Sequence, residues 1–146
     1  MTPLEQKAYG IARSAHWGQK DKEGEDYLLH PMRVSAKGKS EKERILGLLQ
    51  DVVEDTDITL EDLSEEGFSK EIVDAVDALT KREGESDPQY LTRVKENELA
   101  RGVKLYDIED NADPERLAKL DRETRERLTK KYRYARDFLL SSFPQV

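Results

Sequence analysis

Apolar residues recur at helical spacing along most of the chain. Leu4, Ala8, Ile11, Ala12 and Ala15 form a first stripe. It lies behind Thr2-Pro3-Leu4-Glu5, which reads as a capping box with proline at the first helical position. Ser40 and Glu43 read as a second box, and behind it Ile45, Leu48, Leu49 and Val52 fall at i, i+3, i+4 and i+7. Thr59 caps a short turn of helix ending near Gly67, and Ser69 opens a helix that turns Ile72, Val73, Val76 and Leu79 inward. Asp87-Pro88 starts a helix with Tyr90, Leu91 and Val94. Asn97 caps the next, which runs through Leu99, Val103, Leu105 and Tyr106 to about Asn111 before Asp113-Pro114 ends it. A long last helix from about Asp121 places Leu128, Tyr132, Ala135, Phe138 and Leu139 on one stripe. Two polar connections interrupt this order: residues 18–29, bent at Gly24, and the charged "KREGESDP". Pro31 begins a short helix carrying Met32 and Val34. No segment sustains the alternation of a strand, and there is no internal repeat. The expectation is a compact all-α bundle formed as one domain over residues 1–146.

Charge narrows the class. With 25 basic and 32 acidic residues the net charge is −7, which argues against a general grip on nucleic acid. No apolar run is long enough for a membrane span and no apolar leader opens the chain, so the cytoplasm is the expected compartment. Cysteine is absent, which excludes disulfides, thiolate metal sites and cysteine nucleophiles. The two histidines, His16 and His30, mean that any metal site must be built mainly from carboxylates.

Candidate chemistry gathers in three segments. In "LLQDVVEDT", Leu48 to Thr56, the carboxylates of Asp51, Glu54 and Asp55 stand at i, i+3 and i+4 and share one side of a helix, off its core stripe. His30 precedes a helix-starting proline in "YLLHPMRV", and Asp107 and Asn111 stand at i and i+4 in "VKLYDIEDN". Separately these are a solvated acidic face, a capping or packed histidine, and ordinary helix-surface residues. Together they form a set that hard or borderline divalent ions accept. Spacing alone does not show that the three segments meet.

Taken in order, "AHWGQKDKEGEDYLLHPMRV", "LLQDVVEDT" and "RGVKLYDIEDN" resemble the HD-domain hydrolases of the RelA/SpoT alarmone family, with "VDALTK" similar to a further element. The likeness covers roughly residues 8–113. It implies the all-α HD-domain bundle and Mn²⁺-dependent removal of pyrophosphate from the 3′ position of ppGpp or pppGpp, another divalent cation being the alternative cofactor. With no synthetase segment in the chain, the resemblance is to a small stand-alone alarmone hydrolase. It implies His30, Asp51 and Asp107 as metal ligands, Glu54 and Asp55 as the residues that orient and deprotonate water, and Asn111 as a nucleotide contact. Lys22 and Lys81 are the first candidates for the phosphates, among several available cations. The implied partner is a small nucleotide, with neither nucleic acid nor membrane.

Three positions depart from the family pattern. Gln50 stands where the His-Asp pair has its histidine, replacing an imidazole nitrogen with an amide oxygen, a weaker donor for Mn²⁺. Asp21 stands where many members have an arginine that packs on the purine, and Tyr106 replaces a small residue beside Asp107. Three functions therefore stay open at the level of sequence: the alarmone hydrolase, impaired by Gln50; a catalytically silent nucleotide binder; and an HD phosphohydrolase for another phosphorylated nucleotide.

Overall fold

The computed structural model describes residues 1–141 and is all-α. Its helices are α1 (Pro3–Ala15), α2 (Leu29–Ala36), α3 (Glu41–Leu49), α4 (Val52–Asp55), α5 (Leu60–Glu65), α6 (Lys70–Leu79), α7 (Asp87–Glu96), α8 (Glu98–Asn111), α9 (Pro114–Leu117) and α10 (Arg122–Leu140). Among the described residues the only β-type pairing is an isolated bridge between Lys20 and Asp26, which closes the polar loop before α2. No helix among them is long and apolar enough to cross a membrane.

The predicted N-terminal signals are used, with differences in detail. Thr2, Ser40, Ser69 and Asn97 each accept a backbone N–H of the following turn. The first two sites are not reciprocal boxes, however. Glu5 is buried against Arg44 at 3.0 Å, and Glu43 accepts the Lys39 N–H at 2.7 Å. A tertiary partner outcompetes the local return bond at Glu5, whereas Glu43 returns one residue further, to Lys39, and also accepts the Tyr106 hydroxyl at 3.1 Å. Reciprocal boxes form instead at Thr59/Asp62 and Ser86/Gln89.

Ile45, Leu46, Leu48 and Leu49 of α3 are buried at the centre of the core, with Val34 of α2, Val76 of α6 and Val103 of α8. The helix α3 packs on α1, α2, α6 and α8, and α8 in turn packs on α2, α6, α7 and α10, so the bundle is built on this pair. Gly47 lets α2 approach it closely: a Cβ at that position would lie 2.9 Å from both Cα and N of Ser35. That contact brings α2, which carries His30, onto α3.

Two boundaries differ from the sequence reading. The helix α2 begins at Leu29, so Pro31 lies inside its first turn, where its missing N–H costs nothing. The helix predicted across "LLQDVVEDT" stops at Leu49, turns at Gln50 and Asp51, and restarts as α4. Asp113-Pro114 ends α8, as its residues predict, but also caps the short α9, which the weak apolar pattern there does not announce.

Candidate active site

The geometry gathers around His30. Helix α2 packs across α8, and α8 presents Asp107 and Asp110, one turn apart, on the same face. His30 Nε2 lies 2.6 Å from Asp107 Oδ1, and its Nδ1 lies 2.6 Å from Asp110 Oδ2. All three residues are buried. Asp107 also accepts from Lys104 Nζ at 2.9 Å and from Asn111 Nδ2 at 3.3 Å. Asp110 accepts from Arg33 Nε at 2.8 Å and ion-pairs with Arg116 Nη2 at 3.1 Å. Asp51, at the turn between α3 and α4, accepts the Tyr27 hydroxyl at 2.5 Å. Tyr27 packs between the rings of His16 and His30, with centroids 4.8 Å and 5.8 Å away.

These contacts fix the charge states. Burial alone would lower the His30 pKa, but the hydrogen bonds to Asp107 and Asp110 outweigh it and hold the ring up to about 9. Burial would likewise raise Asp107 and Asp110. The Lys104 ammonium and His30 keep Asp107 well below the usual carboxylate range, and His30, Arg33 and Arg116 do the same for Asp110. Asp51 is pushed the other way, by burial first and then by the Asp107 charge. Asp107 in turn holds the Lys104 ammonium in its charged form, against the effect of burial.

Glu54 and Asp55 end α4 and are exposed. Partial burial, then the charges of Asp51 and Asp55, raise the Glu54 carboxyl, while the Lys104 ammonium and then the Lys81 backbone N–H partly offset them. Two cavities adjoin the His30–Asp107 pair, and a third, about 690 Å³, lies against Arg33, Asp110 and Arg116. Of the first two, the larger, about 330 Å³, is lined by Lys22, Tyr27, His30, Asn111, Arg116 and Tyr132 among others. The smaller, about 160 Å³, lies against Lys104, Asp107 and Asn111, and shares Asn111 and Tyr132 with the first. Lys22 stands in a field of positive charge. Burial first, then Arg127 and Lys131 of α10, lower its pKa. Lys81 is exposed and ion-paired with Asp87 at 2.7 Å, and it lines neither cavity.

The chain's residues suit a divalent ion by chemistry. The donor set is an imidazole held between two carboxylates, a further carboxylate, Asp51, near enough to Asp107 to oppose its charge, and the buried Gln50 amide, whose carbonyl oxygen is the ligand a hard cation accepts. Their spacing is less converged than their chemistry. Among the described residues, only Asp21, Glu23 and Glu25 bring ligand atoms all within 4.8 Å of one another. That group is an acidic turn in which Asp21 Oδ1 accepts the backbone N–H groups of Glu23 and Glu25. Asp51 is turned toward Tyr27.

The structure thus brings His30, Asp107 and Asn111 into contact, with Asp51 linked through Tyr27. It leaves Glu54 and Asp55 at the rim, Lys22 in the larger cavity and Lys81 outside both. Sequence reasoning passed over Tyr27, Lys104, Asp110 and Arg116. Lys104 and Asp110 flank Asp107 at i−3 and i+3, a helical-face signal that was available. Arg116 had no such signal, because it reaches the cluster from α9.

The chain is thus an all-α bundle that buries a histidine between two carboxylates beside a cavity, and the comparisons with known proteins say what it is similar to. No family model matches the chain. A protein of Borreliella burgdorferi named guanosine-3′,5′-bis(diphosphate) 3′-pyrophosphohydrolase is 43% identical over 79 residues, covering 51% of this chain and 12% of that protein. The bifunctional (p)ppGpp synthase/hydrolase SpoT of Escherichia coli is 39% identical over 79 residues, covering 51% of this chain and 11% of that protein. A probable GTP pyrophosphokinase of Mycobacterium leprae is 32% identical over 140 residues, covering 83% of this chain and 18% of that protein. The chain therefore spans less than a fifth of the length of each of these relatives. A solved structure described as a metazoan ortholog of SpoT that hydrolyses ppGpp superposes with a TM-score of 0.76 at 25% identity, over 96% of this chain and 87% of that one. The chain is similar over about half its length to proteins named guanosine-3′,5′-bis(diphosphate) 3′-pyrophosphohydrolase, and over nearly all of it to the SpoT ortholog.

Proposed function

We propose that this protein is a divalent-metal-dependent HD-type hydrolase that removes the 3′-pyrophosphate from ppGpp or pppGpp. The observation that carries the reading is the pairing of His30 with Asp107, on α2 and α8, beside a cavity lined by Lys22 and Asn111. His30, Asp51 and Asp107 would hold the ion, Mn²⁺ being the first candidate, with Gln50 offering a carbonyl oxygen at the fourth corner. A bound divalent ion supplies polarisation of a phosphoryl oxygen and a lowered pKa for bound water.

The rest belongs to the chain. Glu54, whose carboxyl is raised, accepts the proton of the attacking water, with Asp55 orienting it. The water oxygen bonds to the phosphorus attached to the ribose 3′ oxygen, the P–O3′ bond breaks, and the 3′ oxygen leaves as a hydroxyl after taking up a proton. The products are GDP, or GTP from pppGpp, and pyrophosphate. Lys22, backed by the field of Arg127 and Lys131, and Lys81, once released from Asp87, offset the phosphate charge. Asn111, held against Asp107, positions the nucleotide. Asp21, half-buried in the cavity wall, gives the base no cationic plane to stack on, so phosphate recognition outweighs base recognition here.

The test is incubation with ppGpp and Mn²⁺, with chromatographic separation of GDP and pyrophosphate and Asp107→Asn as the control. Release by the unaltered protein and none by the variant supports the reading. Binding of ppGpp without release would instead favour the silent binder that Gln50 suggests.

A further inference from the structure

The histidine at the centre of the site is held from both sides, and only one side belongs to the expected ligand set. Asp107 faces Nε2, while Asp110 accepts at Nδ1, 2.6 Å away and only 5% exposed. Asp110 is itself held by Arg33 Nε, which donates to its Oδ1 at 2.8 Å, and by the charge of Arg116, whose Nη2 stands 3.1 Å from its Oδ2 as an ion pair outside hydrogen-bonding geometry. The two arginines come from α2 and α9, so three elements converge on this carboxylate. We propose that Asp110, held by Arg33 and Arg116, is the positioning residue of the site, accepting the His30 Nδ1–H and fixing the ring plane so that Nε2 faces Asp107 and the expected metal position.

An imidazole ligates a metal through one nitrogen, and the hydrogen bond made by the other selects the tautomer, holds the ring plane and raises ligand basicity. A carboxylate does this best when it is fixed as an acceptor, and two guanidiniums keep Asp110 so. The assignment matters more in this chain because the fourth ligand position is an amide, which leaves His30 as the sole imidazole donor in the expected set. Asp110 acts through His30 and touches no reacting atom.

The metal consequence rests on the hydrolase reading above, whereas the ring position does not, and the experiment reads both. The protein is labelled with ¹⁵N-histidine, which gives two imidazole spin systems, and exchange of the ring N–H protons is followed by ¹H–¹⁵N correlation without metal. A protected His30 Nδ1–H is expected in the unaltered protein, and its loss in Asp110→Leu while the Nε2–H facing Asp107 persists. Calorimetry with Mn²⁺ should show about 10–100-fold weaker binding in the variant. If Asp110→Leu does not fold, Asp110→Asn asks the same question, since its single acceptor oxygen cannot serve both His30 and Arg33. A folded variant that keeps a protected Nδ1–H overturns the proposal, even if its stability falls. Loss of the protected Nδ1–H in a protein that binds no Mn²⁺ in either form upholds the positioning role and removes the metal reading instead.

Discussion

Replacing Gly47 by alanine tests the packing that sets the site in place. The position is in the middle of α3, where alanine is normally favoured over glycine by about 0.8–1.0 kcal/mol. Here the added Cβ would lie 2.9 Å from Cα and N of Ser35 and 3.2 Å from the Val34 carbonyl carbon, whereas ordinary contact begins at 3.4 Å. All three atoms are backbone, so none can swing aside, and α2 must move by half an ångström or more. Overpacking of this kind costs about 1–3 kcal/mol, and its upper range applies where backbone opposes backbone. After the helical gain, a net loss of about 1–2 kcal/mol is expected. Gly10 of α1 is the matched control: nothing lies within 4 Å of its added Cβ, so Gly10→Ala should stabilise by about 0.5–1 kcal/mol. Urea unfolding of both variants supplies the numbers. Because α2 carries His30, Gly47→Ala should also weaken Mn²⁺ binding in calorimetry, while Gly10→Ala leaves it unchanged. Equal stabilisation by the two alanines would refute the close-approach argument outright.

Four further outcomes are expected. Chelated protein should lose up to about 3 kcal/mol as pH rises from about 6.5 through about 9, because the folded state holds the His30 proton more tightly than the unfolded chain. This stabilisation is complete below the lower value, so urea titrations of His30→Asn should show a flatter profile across that window. Glu54→Gln should lower kcat by about 10²–10⁴-fold at nearly unchanged substrate affinity, and a small effect would remove Glu54 as the water's base. Lys22→Ala should raise KM for ppGpp and flatten its dependence on salt, read from initial rates over a range of ionic strength. Tyr27→Phe frees Asp51 from its 2.5 Å hydrogen bond, and should shift Mn²⁺ affinity measured by calorimetry without unfolding the bundle; an unchanged affinity would show that this bond does not govern Asp51 as a ligand.

Most of the fold was legible in the chain because its helices announce themselves. The i, i+3, i+4, i+7 stripe of α3, the caps at Thr2, Ser40, Ser69 and Asn97, and the Asp113-Pro114 stop are local signals, and each is used. Where the reading slipped, a tertiary contact had overridden local chemistry, as when Glu5 turned to Arg44 rather than back to Thr2. The break at Gln50 and Asp51 was invisible for a related reason, since the apolar stripe continues through it from Leu49 to Val52. The site was legible in part. His30, Asp51, Asp107 and Asn111 stood out through ordered motifs, but their meeting depends on α2 crossing α8, which no spacing encodes. Arg33 and Arg116, which hold Asp110, read as ordinary surface charges until the fold brings them together.

The central claim is hydrolysis of the 3′-pyrophosphate at the His30/Asp51/Asp107 site, and pyrophosphate release from ppGpp with Mn²⁺ tests it most directly. The assay is run on the unaltered protein and on Gln50→His side by side. Release by both is expected, with Gln50→His faster by about 10-fold or more as an inner-sphere imidazole is supplied. No release from either, with both proteins folded, would contradict it.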